Sequence, residues 1–137
     1  MINEDLRKKI DDAGFTNSIV YDNPSFDDSI IGVDDNGKIV YSFQLMIDEF
    51  IRDEMNETFD GLHSDEYYDK RDEAIEFIEY NTVRATPYMS TYGIPPLIID
   101  YNHETDGYYD LVSGENYDLN TIDLKFYENY KEFLSFF

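Results

Sequence analysis

The chain has no cysteine and no tryptophan. The first absence excludes disulfides, thiolate nucleophiles and sulfur-ligated metal sites. No apolar run is long enough for a bilayer span, and the opening MINEDLRKKI lacks the basic-then-apolar character of an export signal. A cytoplasmic protein is expected. There is no glycine-rich phosphate loop. The two histidines, His63 and His103, each stand alone, without metal-pair spacing or a nucleophile partner. Carboxylate pairs such as Asp27-Asp28 are too common here to single out an acid/base dyad. No catalytic residue, cofactor or resident metal is therefore assigned, and no enzymatic activity is expected. Bases are also scarce, with ten Lys and Arg against 31 Asp and Glu, a formal net charge of −21. Yet residues 80–99, YNTVRATPYMSTYGIPPLII, contain no acid at all, and Arg84 is their only charge. That segment is expected to lie against the core.

What is present is enough for one folded domain spanning 1–137. Apolar residues make up 42% and aromatic ones 17%, so disorder through low hydrophobicity is excluded despite the charge. Self-repulsion at −21 opposes compaction, so the acidity is not there for stability. It disfavours direct binding to nucleic acid or anionic membrane and attracts basic protein surfaces. Halophilic adaptation is the bland alternative. The abundance of Ile, Asn, Tyr and Phe over Ala and Gly speaks against it.

The pattern along the chain reads as α+β: a small antiparallel sheet, with a hairpin near residues 28–41, covered by three or four amphipathic helices. Asn3 caps a first helix over about 4–13, ended by Gly14. TNSIVY and SIIGV read as strands. Asp34-Asp35-Asn36-Gly37 is a tight turn into KIVY, with Asn-Gly supplying the positive backbone angles. Ser42 caps a second helix whose inner stripe is Phe43, Met46, Ile47, Phe50 and Ile51. Ser64 opens a third, running to about Asn81, with Tyr68, Ile75 and Ile78 inward, helped by Tyr67 and Ala74. Pro87 ends any continuation. PLIIDY and YYDLV follow as strands. From about Thr121 an amphipathic helix carries Ile122, Phe126, Tyr130, Phe133 and Phe137 on one side. Its aromatic face is a candidate homodimer interface.

The acids are not evenly spread. From Asp48 to Glu79 there are 13 acids and three bases, a net of −10 in 32 residues. On the third helix Asp65, Asp69, Asp72, Glu76 and Glu79 recur at spacings of 4, 3, 4 and 3. At about 1.5 Å rise per residue this is one row of carboxylates, roughly 5 Å apart. Such neighbours repel, and Lys70 and Arg71 relieve only part of it. A regular negative row on a rigid rod resembles one edge of a nucleic-acid backbone. The competing reading is an ordinary solvated helix face. Asp48, Glu49 and Asp53 flank the row from the second helix, and Tyr67 is the candidate non-electrostatic anchor.

DSIIGVDDNGKIVYSFQLMIDEF, then AIEFIEYNTVRATPYM and PPLII, resemble a group of small acidic proteins encoded by phages and prophages, marked by YNT.RA.PY. The resemblance covers about Asp28 to Ile99, roughly half the chain. It departs at MSTYGIP, where a shorter polar turn is expected. No biochemical activity comes with it. It implies a phage context, hence a host-cell cytoplasm, and a class of protein that blocks host nucleases such as CRISPR effectors and restriction enzymes, in some cases by imitating DNA.

Two smaller signals remain open. Asn81, Thr82 and Arg84 sit at a helix end, where they satisfy backbone groups or pair with Glu79 or Asp48. Alternatively, Arg84 grips a partner carboxylate or small anion. Asn102, Glu104, Asp106, Gly107 and Asp110 echo positions of a calcium loop, but Ser113 stands where its bidentate acid belongs. An acid-rich hairpin turn is the simpler reading, with a weak calcium module as the alternative. The expectation from sequence is an acidic inhibitor that occupies the basic groove of a host nucleic-acid-binding protein. The alternative is a phage structural or accessory domain whose acidity only solubilises it.

Overall fold

A computed structural model describes residues 4–21, 24–55, 65–91 and 93–135. Among the described residues, four α-helices, α1 (Glu4–Asp12), α2 (Phe43–Met55), α3 (Asp65–Ile78) and α4 (Tyr127–Leu134), accompany six strands. The strands are β1 (Ile30–Asp34), β2 (Ile39–Ser42), β3 (Leu97–Asn102), β4 (Gly107–Asp110), β5 (Asn116–Tyr117) and β6 (Ile122–Lys125). They form one sheet in the order β5-β4-β3-β2-β1-β6. The α+β class is as expected. The sheet is mixed, because β2 and β3 pair in parallel while every other pair is antiparallel. A parallel neighbour needs a crossover, and α2 and α3 supply it.

The β1–β2 hairpin is built as its sequence suggests. Gly37 takes a left-handed φ of 79°, and its N–H donates to the Asp34 carbonyl at 3.0 Å. Asp34 is only 2% exposed. Its Oδ1 accepts from the Asn36 and Lys38 backbone N–H groups at 3.0 and 2.9 Å, and its Oδ2 from the Tyr117 hydroxyl at 3.1 Å. Burial and the nearby acids hold that phenol well above its ordinary pKa. Three donors are what allow a carboxylate to be buried there. On the other side of β1, Gly32 lies so close to β6 that a Cβ would collide with the Leu124 carbonyl and the Ile122 side chain.

Period-two alternation sends side chains to both faces of the sheet. Ile30, Ile39, Tyr41 and Ile98 join a cluster with Ile10 of α1, Phe26, the inner stripe of α2, and Ala74 and Ile78 of α3. Ile31, Val40, Leu97, Ile99 and Ile122 point the other way, into a smaller cluster closed by Phe133 of α4. Ser42 caps α2 as expected, its Oγ accepting from Leu45 N–H at 3.3 Å.

Three expectations need correction. TNSIVY is not a strand. It makes a single parallel bridge, Ser18 to Ile94, with the Ser18 hydroxyl donating to the Gly37 carbonyl. One bridge leaves most of the segment unpaired, so its β-branched pattern was insufficient. The C-terminal helix does not begin at Thr121. Residues 122–125 form β6 on β1, and Phe126 introduces the shorter α4, because the open edge of β1 captures the chain first. Finally, the helix that starts as α3 stops at Val83, before Pro87 is reached, so Pro87 is not what ends it. The proline sits in the first turn of a 3-10 helix, Thr86–Thr91, where a missing N–H costs nothing. Ser64, His63, Phe136 and Phe137 lie outside the described residues. So do the side chains of Asp53, Asp65, Tyr67 and Tyr68. Among the described residues no helix is long and apolar enough to cross a membrane.

Candidate functional site

The site begins with the packing of α3. Ala74 and Ile78 are fully buried, Ile75 packs on the same cluster, and Phe77 stacks at 4.9 Å against Phe50 of α2. These contacts fix the rotation of the helix and turn the opposite side to solvent. Asp69, Asp72 and Glu76 are all exposed there, and Glu79 is exposed one turn further on. The two bases of α3 leave the row. Lys70 pairs with Glu73 at 3.3 Å, and Arg71 is half-buried where its charge stabilises the Asp100 carboxylate of β3. Burial nevertheless raises the Asp100 pKa, against the Tyr101 N–H, Gln44, Arg71 and His103. Among the described residues the structure therefore presents Asp69, Asp72, Glu76 and Glu79 on one side.

The flanking residues are less uniform. Glu49 is bound to Arg52 at 2.7 Å and only 17% exposed at its side chain, so its charge is largely matched within α2. Asp48 is half-buried. Glu79 belongs to a π-helical turn, Glu79–Val83, which breaks the regular 3-and-4 spacing at the end of the row. In that turn Arg84 N–H donates to the Glu79 carbonyl at 3.2 Å, and Asn81 Nδ2 donates to the Phe77 carbonyl at 3.0 Å. The Thr86 hydroxyl donates to the Thr82 carbonyl at 2.8 Å, so at 2.6 Å from Tyr21 it acts as acceptor. Tyr41 accepts in turn from Tyr21 N–H at 3.0 Å, with the two rings 4.8 Å apart. Burial raises both phenol pKa values far above the usual range. Thr82 of the YNT.RA.PY motif is thus buried, as is Thr86 at an unspecified position within it, and the Thr86 hydroxyl ties the π turn to the core.

The acid-free segment departs from its expected place. Pro96 to Ile99 are buried, but Tyr80, Arg84 and Tyr88 are on the surface, Tyr80 at 68% and Tyr88 at 80% exposure. The Arg84 guanidinium lies 5.3 Å from the Tyr80 ring centroid, a cation–π arrangement. Lack of charge was a poor guide to burial here, because the helical turns continue past Ile78 and must still turn one side outward. Continuing the 3-and-4 count through Tyr80, Arg84 and Tyr88 would have found this.

The calcium-like loop is a hairpin turn between β3 and β4. Its acceptors are used internally: Asn102 Oδ1 takes Glu104 N–H at 2.9 Å, and Asp106, at φ 56°, takes the Tyr101 hydroxyl. Asp110 takes Val112 N–H at 2.8 Å and the Ser113 hydroxyl at 3.1 Å. Among the described residues no group of three His, Asp or Glu side chains is placed to hold a metal. His103 is exposed and packs edge-on against Tyr101 at 4.8 Å. A cleft of about 420 Å³ lies elsewhere, between α1, residues 27–28 and the start of α4, walled by Leu6, Phe126 and Tyr127 with Asp5, Asp27 and Glu128 around it.

Comparison of the chain with protein-family models, with curated proteins and with solved structures gave no match. The functional reading therefore rests on the geometry. What that geometry can do is present closely spaced negative charge from a rigid support and collect positively charged surfaces.

Proposed function

We propose that this chain is an acidic interaction protein that inhibits a nucleic-acid-binding protein of a host cell, in whose cytoplasm it would act. Its carboxylates occupy a basic groove meant for a phosphate backbone, and CRISPR effectors and restriction enzymes are the candidate targets. The phage context comes from the YNT.RA.PY resemblance. The observation that carries the reading is the exposed set Asp69, Asp72, Glu76 and Glu79, left in solvent while Lys70 and Arg71 are engaged elsewhere. Like charges at these spacings cost helix stability, so their regular arrangement opposes the fold's own interest and is accounted for by a binding role. Asp48 flanks the row, and Glu49 contributes only when Arg52 is displaced. The proposed mechanism is competition without catalysis, and no cofactor is assigned. Among the described residues α4 offers little for self-association, with Tyr127 and Leu134 exposed and Phe133 fully buried.

The test is a cleavage assay with a panel of purified CRISPR effectors and restriction endonucleases. Inhibition should weaken steeply with added salt, because the interacting charges are exposed. The Asp69→Lys/Asp72→Lys/Glu76→Lys variant should lose it. Full inhibition by the reversed variant would leave the acidity a solubilising feature of an accessory domain.

A further inference from the structure

The turns from Ala74 to Met89 carry two lines of side chains. The inner line is Ala74, Ile78, Thr82 and Thr86, all buried, with half-buried Met89 next. The outer line is Phe77, Tyr80, Arg84 and Tyr88. It holds three of the five large hydrophobic side chains that are exposed among the described residues: Phe77 at 43%, Tyr80 and Tyr88. Three exposed rings on successive helical turns, with the Arg84 guanidinium 5.3 Å from the Tyr80 ring, have the composition of an interface centre rather than of an ordinary surface.

We propose that this outer line is a self-association surface, covered by the same line of a second copy of this chain across a two-fold axis. Charge selects the second copy. Two bodies of −21 repel each other, and the segment 80–99 carries no carboxylate of its own, only Glu76 and Glu79 of the preceding turns lying at its border. The line is also self-complementary, as a two-fold interface requires. With the two runs antiparallel and the axis beside Tyr80, residues four before and four after Tyr80 face each other. Arg84 of each copy then meets exposed Glu76 of the other, while the Tyr80 rings meet at the axis. A basic partner would instead be drawn to the carboxylates and repelled by Arg84. The inference shares Glu76 with the inhibitor reading but does not depend on it, and it needs no third protein to test.

Sedimentation equilibrium of the full chain, from about 1 to about 200 µM, separates the cases. Repeating it at about 50 and about 500 mM NaCl adds a sign, because screening removes the repulsion between copies. A dimer should form and tighten at least tenfold at the higher salt, opposite to the salt effect expected for a basic partner. Tyr80→Ser with Tyr88→Ser should weaken it at least tenfold, with an unchanged circular-dichroism melt because both rings are exposed. Arg84→Glu should weaken it at low salt, and adding Glu76→Arg should restore it. A monomer at every concentration and salt overturns the proposal. So does a dimer that ignores the Tyr80 and Tyr88 changes, or one abolished by Tyr127→Ser instead. Inhibition of a nuclease by a strictly monomeric chain would remove the self-association surface and leave the inhibitor reading intact.

Discussion

From Asp65 to Thr91 one succession of helical turns has two halves with a common inner side and different outer ones. The first half, α3, buries Ala74 and Ile78 and exposes Asp69, Asp72 and Glu76. The second, from the π turn onward, buries Thr82 and Thr86 and exposes Tyr80, Arg84 and Tyr88. The inner residues also differ in kind. Ala and Ile hold the first half by apolar burial, whereas Thr82 and Thr86 hold the second through hydrogen bonds reaching Tyr21. The comparison teaches that absence of charge and burial are separate properties. Acids stop at Glu79, but the solvent side of the helical turns does not.

The two halves can be broken separately. The largest loss is expected from Ile78→Ala, which empties a fully buried position where α3 meets the core. It should cost about 2–5 kcal/mol in chemical denaturation, as such core truncations do. Next comes the function of the first half. Asp69→Lys, Asp72→Lys and Glu76→Lys together should reduce nuclease inhibition about a hundredfold or more, equivalent to roughly 2.7 kcal/mol. The same variant should change stability by no more than about 0.5 kcal/mol, since all three side chains are exposed and lysines at these spacings repel much as the carboxylates did. Thr86→Val keeps the shape of the inner line but removes the acceptor for the Tyr21 hydroxyl and the donor to Thr82. It should cost about 1–3 kcal/mol by denaturant titration. Tyr88→Ser, on the outer line of the second half, should change the stability of the monomer by no more than about 0.5 kcal/mol.

The smallest effect concerns Asp100, beside Arg71. Burial raises its pKa in the folded chain above the ordinary 3.8. The folded state therefore holds the Asp100 proton more tightly than the unfolded state does. The stability this confers is complete below 3.8 and is lost as pH rises through the raised folded value. Asp100→Asn should consequently raise the melting temperature at pH 7, and the gain should vanish as the pH falls below about 3.8. A gain that persists at acid pH would show that the carboxylate's charge is not its cause.

Much of the architecture was legible in the sequence because local signals agreed with the packing. Asn36-Gly37 specified a hairpin, the stripe Phe43–Met46–Ile47–Phe50–Ile51 specified α2, and LIIDY specified β3. The misread places are those where long-range partners decided. Thr121 to Lys125 has a pattern compatible with a helix, but the uncovered edge of β1 offered hydrogen bonds. TNSIVY has strand-like composition, but among the described residues it bridges only to Ile94. In the candidate site the periodicity of the acids predicted their row. It could not show that Lys70 would pair with Glu73, that Arg71 would be half-buried with Asp100 in range of its charge, or that Arg52 would match Glu49.

Composition and spacing alone determined that this is an acidic, cysteine-free α+β chain with carboxylates at helical intervals, because charge, turn chemistry and periodicity are local properties. Which side of the uncharged turns after Glu79 faces water was left to the tertiary structure. That depends on which apolar side chains find partners across the sheet, and Thr82, Thr86 and Tyr21 show that uncharged polar groups compete for those positions too. Tyr80, Arg84 and Tyr88 are on the surface because the core was already filled from the other side of their helical turns.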